Sequence, residues 1–327
     1  MGEIETFGFY NKENGIIKTI SICIIFHLLY LCIPALLIGT PLYLIFSSNP
    51  IYKAIGGVTV AYYFTTFDGC HRQSGRPWPK FINSSIVRFV LEWLPIQIRR
   101  TAILNSDELY VFAAHPHGTL AFNRGGVGFL TDTLWNKAFP GIKFRVLTAT
   151  AAFFVPFIRE MWLWSYCIDA SKVTACRIME KEKCSIFVYP GGEKEQMETI
   201  YGENRILLKT RKGFVRLAIE QGASLVPVYA FGETDLYYHH QLAIGLRRWL
   251  VIKFGIAIPL ISGQCGLMPY RKPVTLVFGE PIPMKQNRHP TPSEVDAAHS
   301  LYMNALVKLF DNHKTSLGYS DKELIIL

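Results

Sequence analysis

The pattern of apolar and polar positions changes twice along this chain. Residues 1–15 are polar and mixed in charge, residues 19–52 contain no Lys, Arg, Asp or Glu, and beyond about residue 105 short apolar runs alternate with polar corners. One membrane crossing as helix needs about 20 apolar residues, so the uncharged run is too long for one ordinary span and short for two. Pro34, Gly39 and Pro41 interrupt it, and proline stops or kinks a helix. The pattern predicts two apolar helices, roughly 16–33 and 42–48, forming a hairpin that crosses twice or dips and returns. Lys18 and Lys53 would then flank it on one, cytosolic, side. A buried core helix pair is the alternative. Residues 53–67 are apolar, aromatic and suited to an interface. The domain reading is a polar cytosolic N-terminus (1–15), a membrane hairpin with an interfacial segment (16–67) and a catalytic domain (68–327).

The later runs read as buried strands with loops at their ends: LYVFAA before His115, CSIFVY before PGGEKE, SLVPVYAF before GETD, and VTLVFG before EPIP. Between them, RKGFVRLAIEQG places Phe214, Leu217 and Ala218 on one helix face, with Gly222 as its stop. A second helix opens at Thr291 and Glu294 in capping-box spacing, with Pro292 in the first turn. Its apolar face runs through Val295, Ala298, Tyr302, Ala305 and Leu309. Strands alternating with helices predict an α/β domain, with a mixed or parallel sheet flanked by helices.

Composition sharpens this picture. Half of the 327 residues are hydrophobic, and Lys plus Arg exceed Asp plus Glu by nine. A basic excess suits a polyanionic substrate or an anionic membrane surface. Neither a zinc-finger spacing nor a long Lys/Arg stripe is present, which argues against nucleic acid. The seven cysteines, at 23, 32, 70, 167, 176, 184 and 265, form no CxxC pair and read as thiols of a reducing compartment.

The candidate chemistry lies at strand ends, where α/β enzymes place reacting groups. His115-Pro116-His117-Gly118 follows one strand. Two histidines so placed can share a metal, act as general base, or decorate a turn. No HxxxH spacing offers the further ligand that a catalytic metal site would need. A base needs an orienting partner and amide donors for an oxyanion. Tyr189-Pro190-Gly191-Gly192, followed by Glu193 and Glu195, offers both after another strand. Glu233, in a third corner, either supports the histidine loop or caps a turn.

These blocks resemble the type-2 diacylglycerol acyltransferase family, which includes monoacylglycerol acyltransferases and wax synthases. The resemblance rests on HPHG (115–118), FPGIKF (139–144), FVPFIRE (154–160, with Pro156 and Arg159), YPGGEKE (189–195), RKGFVRLA (211–218), LVPVYAFGE (225–233), GEPIP (279–283) and YMNALVKLFDNHK (302–314). It covers residues from about 85 onward, plus the N-terminal hairpin. Where the animal enzymes carry Tyr-Phe-Pro, this chain has Trp93-Leu94-Pro95, a departure that bears on acceptor or acyl preference.

The resemblance implies a glycerolipid-acyltransferase-like fold and transfer of a fatty acyl group from acyl-CoA to a lipid hydroxyl. Diacylglycerol is the expected acceptor, with monoacylglycerol or a fatty alcohol as alternatives; a lipid-droplet scaffold is the non-enzyme alternative. It implies endoplasmic-reticulum or lipid-droplet membrane with a cytosolic catalytic domain, no cofactor or metal, and room for a homo-oligomer. His117 corresponds to the base. The wider glycerolipid pattern has an Asp four residues later, but here that position is Ala121, so Glu195 is expected to orient the His117 ring. His115 would shape the loop or touch substrate. Gly118, Gly191 and Gly192 would border the substrate, with the latter two as oxyanion donors. Arg159, Arg211 and Lys212 would meet CoA phosphates.

Overall fold

The computed structural model describes residues 5–8, 15–33, 35–155, 157–255 and 257–327. Pro34 and Pro156, and most of the polar N-terminal stretch, lie outside the described residues. The chain builds an eight-stranded sheet. Its strands are β1 (Glu5–Gly8), β2 (Ile96–Arg100), β3 (Tyr110–His115), β4 (Phe144–Thr148), β5 (Cys167–Asp169), β6 (Ser185–Val188), β7 (Ser224–Phe231) and β8 (Val274–Phe278). The order across the sheet is β1-β2-β8-β7-β3-β6-β4-β5. From β7 to β5 every pairing is parallel, while β8 runs antiparallel to β7, and β1 to β2. The fold is therefore mixed α/β, as the alternating pattern implies.

Strand β3 is buried along its whole length, and its residues alternate between two cores. Tyr110, Phe112 and Ala114 join the cluster around Trp135 and Phe278, whereas Val111 and Ala113 join the cluster under the helices Gly213–Gln221 and Pro292–Lys314. The C-terminal helix starts with the expected capping box between Thr291 and Glu294. It buries Val295, Ala298, Tyr302, Leu306 and Leu309 against the sheet. Gly222, in the left-handed region at φ 64, closes the shorter helix.

The N-terminal apolar segment differs from the expected hairpin. Helix Ile16–His27 is followed by π-turns over Leu28–Cys32 and Ala35–Gly39 and by helix Thr40–Phe46. The reversal falls at residues 47–49, after which helix Pro50–Thr65 packs back on Thr40–Phe46. Pro41 falls where the π-turns give way to helix Thr40–Phe46. Asn49 accepts from the Ile51 amide at 2.9 Å and so starts the next helix. Lys53 consequently sits near the tip, far along the chain from Lys18, which pairs with Glu92 at 3.8 Å. Among the described residues no helix is long and apolar enough to cross a membrane. Ile22 and Phe26 are buried in the core, so the first helix belongs in part to the folded domain.

Candidate active site

The parallel strands β3, β6 and β7 all point their C-terminal ends at one corner of the molecule, which gathers the histidine loop, Tyr189–Glu195 and Glu233. Continuing the β3 alternation places His115 on the same face as Val111 and Ala113. Its ring is fully buried, 6.1 Å from the Tyr302 ring, and neither ring nitrogen has a hydrogen-bond partner. Burial, with a smaller push from His299, lowers its pKa to about 3. His115 is thus a neutral core residue with no surface for substrate to touch. This fits the loop-shaping role and not the substrate contact.

His117 follows the cis His115–Pro116 bond and is partly exposed. Its Nδ1 lies 3.0 Å from the Gly118 carbonyl. A carbonyl only accepts, so Nδ1 carries the proton and Nε2 holds the lone pair. Its ring meets Tyr189 edge-on at 5.4 Å. Burial lowers the His117 pKa; the Gly118 carbonyl and Glu193 oppose this, and Arg124 adds to it.

The expected carboxylate–ring pair is not what forms. Glu195 accepts from the backbone amide of His117 with Oε1 and from the Leu207 amide, at 2.7 Å, with Oε2. The reason lies in the chain path: Glu195 closes the first turn of helix Gly192–Glu198 and is buried there, within reach of the loop backbone. Burial raises its pKa to about 7 against the pull of both amides and Arg211. Glu195 therefore positions the loop through its backbone, and the tautomer of the ring is set by Gly118.

Glu233 supplies a second brace. It accepts from the Phe122 amide at 2.8 Å and the Asn123 amide at 2.7 Å. Burial raises it to about 8. The Asn123 side chain donates to the Pro116 carbonyl at 3.3 Å and accepts from the Tyr189 hydroxyl. Gln196 donates to the Thr119 carbonyl. The loop from His117 to Asn123 is so clamped at both ends.

The glycines explain the clamp. A Cβ on Gly118, whose φ is +64, would lie 2.5 Å from Glu233 Cγ, and one on Gly191 would collide with the Glu195 carboxylate. Gly192 is partly exposed, but its amide already donates to the Tyr189 carbonyl at 3.1 Å. It is therefore not a free oxyanion donor.

The cationic candidates divide. Arg211 stays at the site: it donates to the Gly191 carbonyl at 3.2 Å, and its buried Nε has no partner. Arg159 is buried, paired with Glu160 at 2.6 Å and set over the Phe67 ring at 4.8 Å. Lys212 pairs with Asp296 at 2.7 Å. Arg159 is thus held in a buried structural pair, while Lys212, next to Arg211 in sequence, keeps an exposed ion pair.

Two further residues have roles that spacing did not reveal. Arg124 packs 3.6 Å from the centroid of Trp162 and donates to Ser165 at 3.3 Å, and its charge disfavours a second positive charge on His117. Asn123 ties the loop to Tyr189. Each lies just beyond the four-residue signature and carries no spacing signal of its own. The arrangement presents a neutral imidazole with a fixed tautomer at the mouth of a rigid loop, suited to taking a proton from a hydroxyl.

A family model described as diacylglycerol acyltransferase matches residues 43–327. Diacylglycerol O-acyltransferase 2 of Mus musculus is 36% identical over 281 residues, covering 80% of this chain and 72% of that protein. Acyl-CoA wax alcohol acyltransferase 2 of Mus musculus is 37% identical over 251 residues, covering 72% and 75%. The 2-acylglycerol O-acyltransferase 3 of Homo sapiens is 34% identical over 265 residues, covering 75% and 76%.

Proposed function

Because this chain belongs to the diacylglycerol acyltransferase family, we propose that it transfers a fatty acyl group from acyl-CoA to the free hydroxyl of diacylglycerol, giving triacylglycerol. The chain is an acyltransferase; the acceptor and the chemistry of the step are our reading. The observation that carries that reading is His117, whose lowered pKa favours the neutral ring and whose tautomer, locked by Gly118, leaves the lone pair on Nε2. In the step, Nε2 takes the hydroxyl proton as the alcohol oxygen bonds to the thioester carbonyl carbon. The C–S bond then breaks, and the imidazolium returns the proton to the leaving thiolate. A thioester is already activated, so the step needs no metal or cofactor.

The substrates are lipids, and the N-terminal segment supports placing the enzyme at a membrane, with the endoplasmic reticulum or a lipid droplet as its site and the catalytic domain on the cytosolic side. Ile16, Ile17, Leu36, Tyr43, Phe46 and Phe64 are all exposed. So large an apolar surface left in water marks an interaction site.

A second acceptor class rests on a specific observation: the wax alcohol acyltransferase is 37% identical over 72% of this chain, against 36% over 80% for the diacylglycerol enzyme. Microsomes containing the protein should be given labelled oleoyl-CoA with diacylglycerol, monoacylglycerol or hexadecanol. Labelled triacylglycerol is the expected product. Wax ester alone would reassign the acceptor, and no new neutral lipid would defeat the reading.

A further inference from the structure

A cleft of about 450 Å³ opens beside the loop braces, with Glu198, Tyr201, Arg205, Tyr238, His239 and Arg248 in its lining. It begins where helix Gly192–Glu198 ends. Glu195, which holds the His117 amide, precedes Glu198 by three residues, about 4.5 Å of helix rise. Reacting centre and cleft thus share one short element.

The cleft is suited to an anion. Arg205 reaches Glu203 at 2.9 Å, yet its buried Nε has no partner. Arg248 reaches across to Glu198 at 2.8 Å and is otherwise largely exposed. Arg247, outside the lining, is buried against the lining residue His239. It donates to the carbonyls of Leu242 at 3.0 Å, Ile258 at 3.1 Å and His240, and meets His239 Nε2 at 3.0 Å. Among the described residues no carboxylate reaches it, and these carbonyls and the imidazole take up its donors, so the cations that face the cleft are Arg205 and Arg248.

The cleft also offers a flat aromatic wall. Tyr201 and Tyr238 stack with centroids 4.0 Å apart, and Tyr270 stands edge-on to both, at 6.0 and 5.8 Å. Tyr238 keeps 46% of its surface exposed, enough to accept another ring. A phosphate-bearing ligand with a planar base satisfies both features. A phospholipid headgroup would satisfy only the first.

We propose that this cleft binds the nucleotide end of acyl-CoA, with adenine against Tyr238 and phosphates at Arg205 and Arg248. Arg248 exchanges Glu198 for phosphate on binding. The pantetheine arm then runs along helix Gly192–Glu198 toward His117. The assignment rests on the acyl-CoA reading above.

The test compares two donors with the full-length protein in mixed micelles: oleoyl-CoA, and S-oleoylpantetheine, which lacks nucleotide and diphosphate. Arg205→Gln, Arg248→Gln and Tyr238→Leu should each raise the KM for oleoyl-CoA about tenfold, the loss of one charge-assisted or stacking contact. The penalty should vanish with S-oleoylpantetheine. If KM for oleoyl-CoA does not change, or both donors suffer equally, the assignment is wrong. Loss of binding to phosphatidylserine vesicles with an unchanged KM would also overturn it, in favour of a lipid headgroup. These outcomes require wild-type transfer from oleoyl-CoA; absence of that transfer defeats the acyltransferase reading itself.

Discussion

On β3 the side-chain alternation carries His115 inward with Val111 and Ala113, while His117 emerges past the turn, so two histidines of identical chemistry meet opposite surroundings. His117→Ala should lower transfer by about 10² to 10⁴, the usual contribution of a general base, while leaving expression unchanged. His115→Leu should keep most of the transfer, because it replaces a buried ring with two unpartnered nitrogens by an apolar side chain. Equal losses for both would contradict the separation, and a transfer assay beside thermal unfolding distinguishes chemistry from folding. The pH profile follows from the lowered pKa of His117. The base is neutral, hence active, above its pKa, so transfer should be level near pH 7 and fall only on acidification below the ordinary histidine value of about 6.5. An acid limb centred above 7 would contradict the burial that holds the ring neutral.

At the scale of the element, the histidine loop is a short peptide clamped by Glu195 at one end and Glu233 at the other. Gln at either position accepts only one amide bond through its carbonyl oxygen, leaving a buried N–H without a partner at about 1–3 kcal/mol. Glu195→Gln and Glu233→Gln should therefore lower both kcat and melting temperature, and Gly118→Ala should do so more severely because its Cβ meets Glu233. The two carboxyls have folded pKa values of about 7 and 8, above their ordinary 4.5. The folded state thus holds extra protons, and the stability they confer is full below about 4.5 and lost as pH rises through 7 and 8. Melting temperatures of the wild type should fall between pH 5 and 8.5, and less so in Glu233→Gln. What was legible in the sequence follows the same logic. Strands β3, β6, β7 and β8, buried over all or nearly all of their residues, announce themselves as apolar runs, whereas β2 and β4 alternate over five residues and β5, though buried, has three, too short a pattern to stand out. The histidine loop and its glutamates were readable as types and positions. That Glu195 serves the backbone and not the ring depends on the depth of one helix turn, which no spacing encodes.

At the scale of the whole molecule, the apolar N-terminal segment is joined to the catalytic corner. Phe26 stacks on Phe122 at 5.8 Å, and the Phe122 amide is one of the two held by Glu233. The segment leaves the domain at this contact, reverses at residues 47–49 and returns through helix Pro50–Thr65. That helix has 16 residues, a rise of about 24 Å against the roughly 30 Å of hydrocarbon in a bilayer. A return path so short fits a segment lying within one leaflet better than two full crossings. The polar tip, with Ser47, Ser48, Asn49 and Lys53, argues against a dip that leaves it at mid-bilayer, where a lysine costs at least about 2.5 kcal/mol, and for a segment that lies along the interface. The expected outcome is that carbonate washing leaves the protein in the membrane pellet. In sealed microsomes, with Cys32 and Cys265 changed to serine, an impermeant maleimide should label Ser48→Cys from the cytosolic side, with no gain after permeabilisation. Labelling that appears only once the vesicles are opened would mean that the tip reaches the lumen and that the segment crosses. Release by carbonate would mean that the exposed apolar faces meet protein in place of lipid.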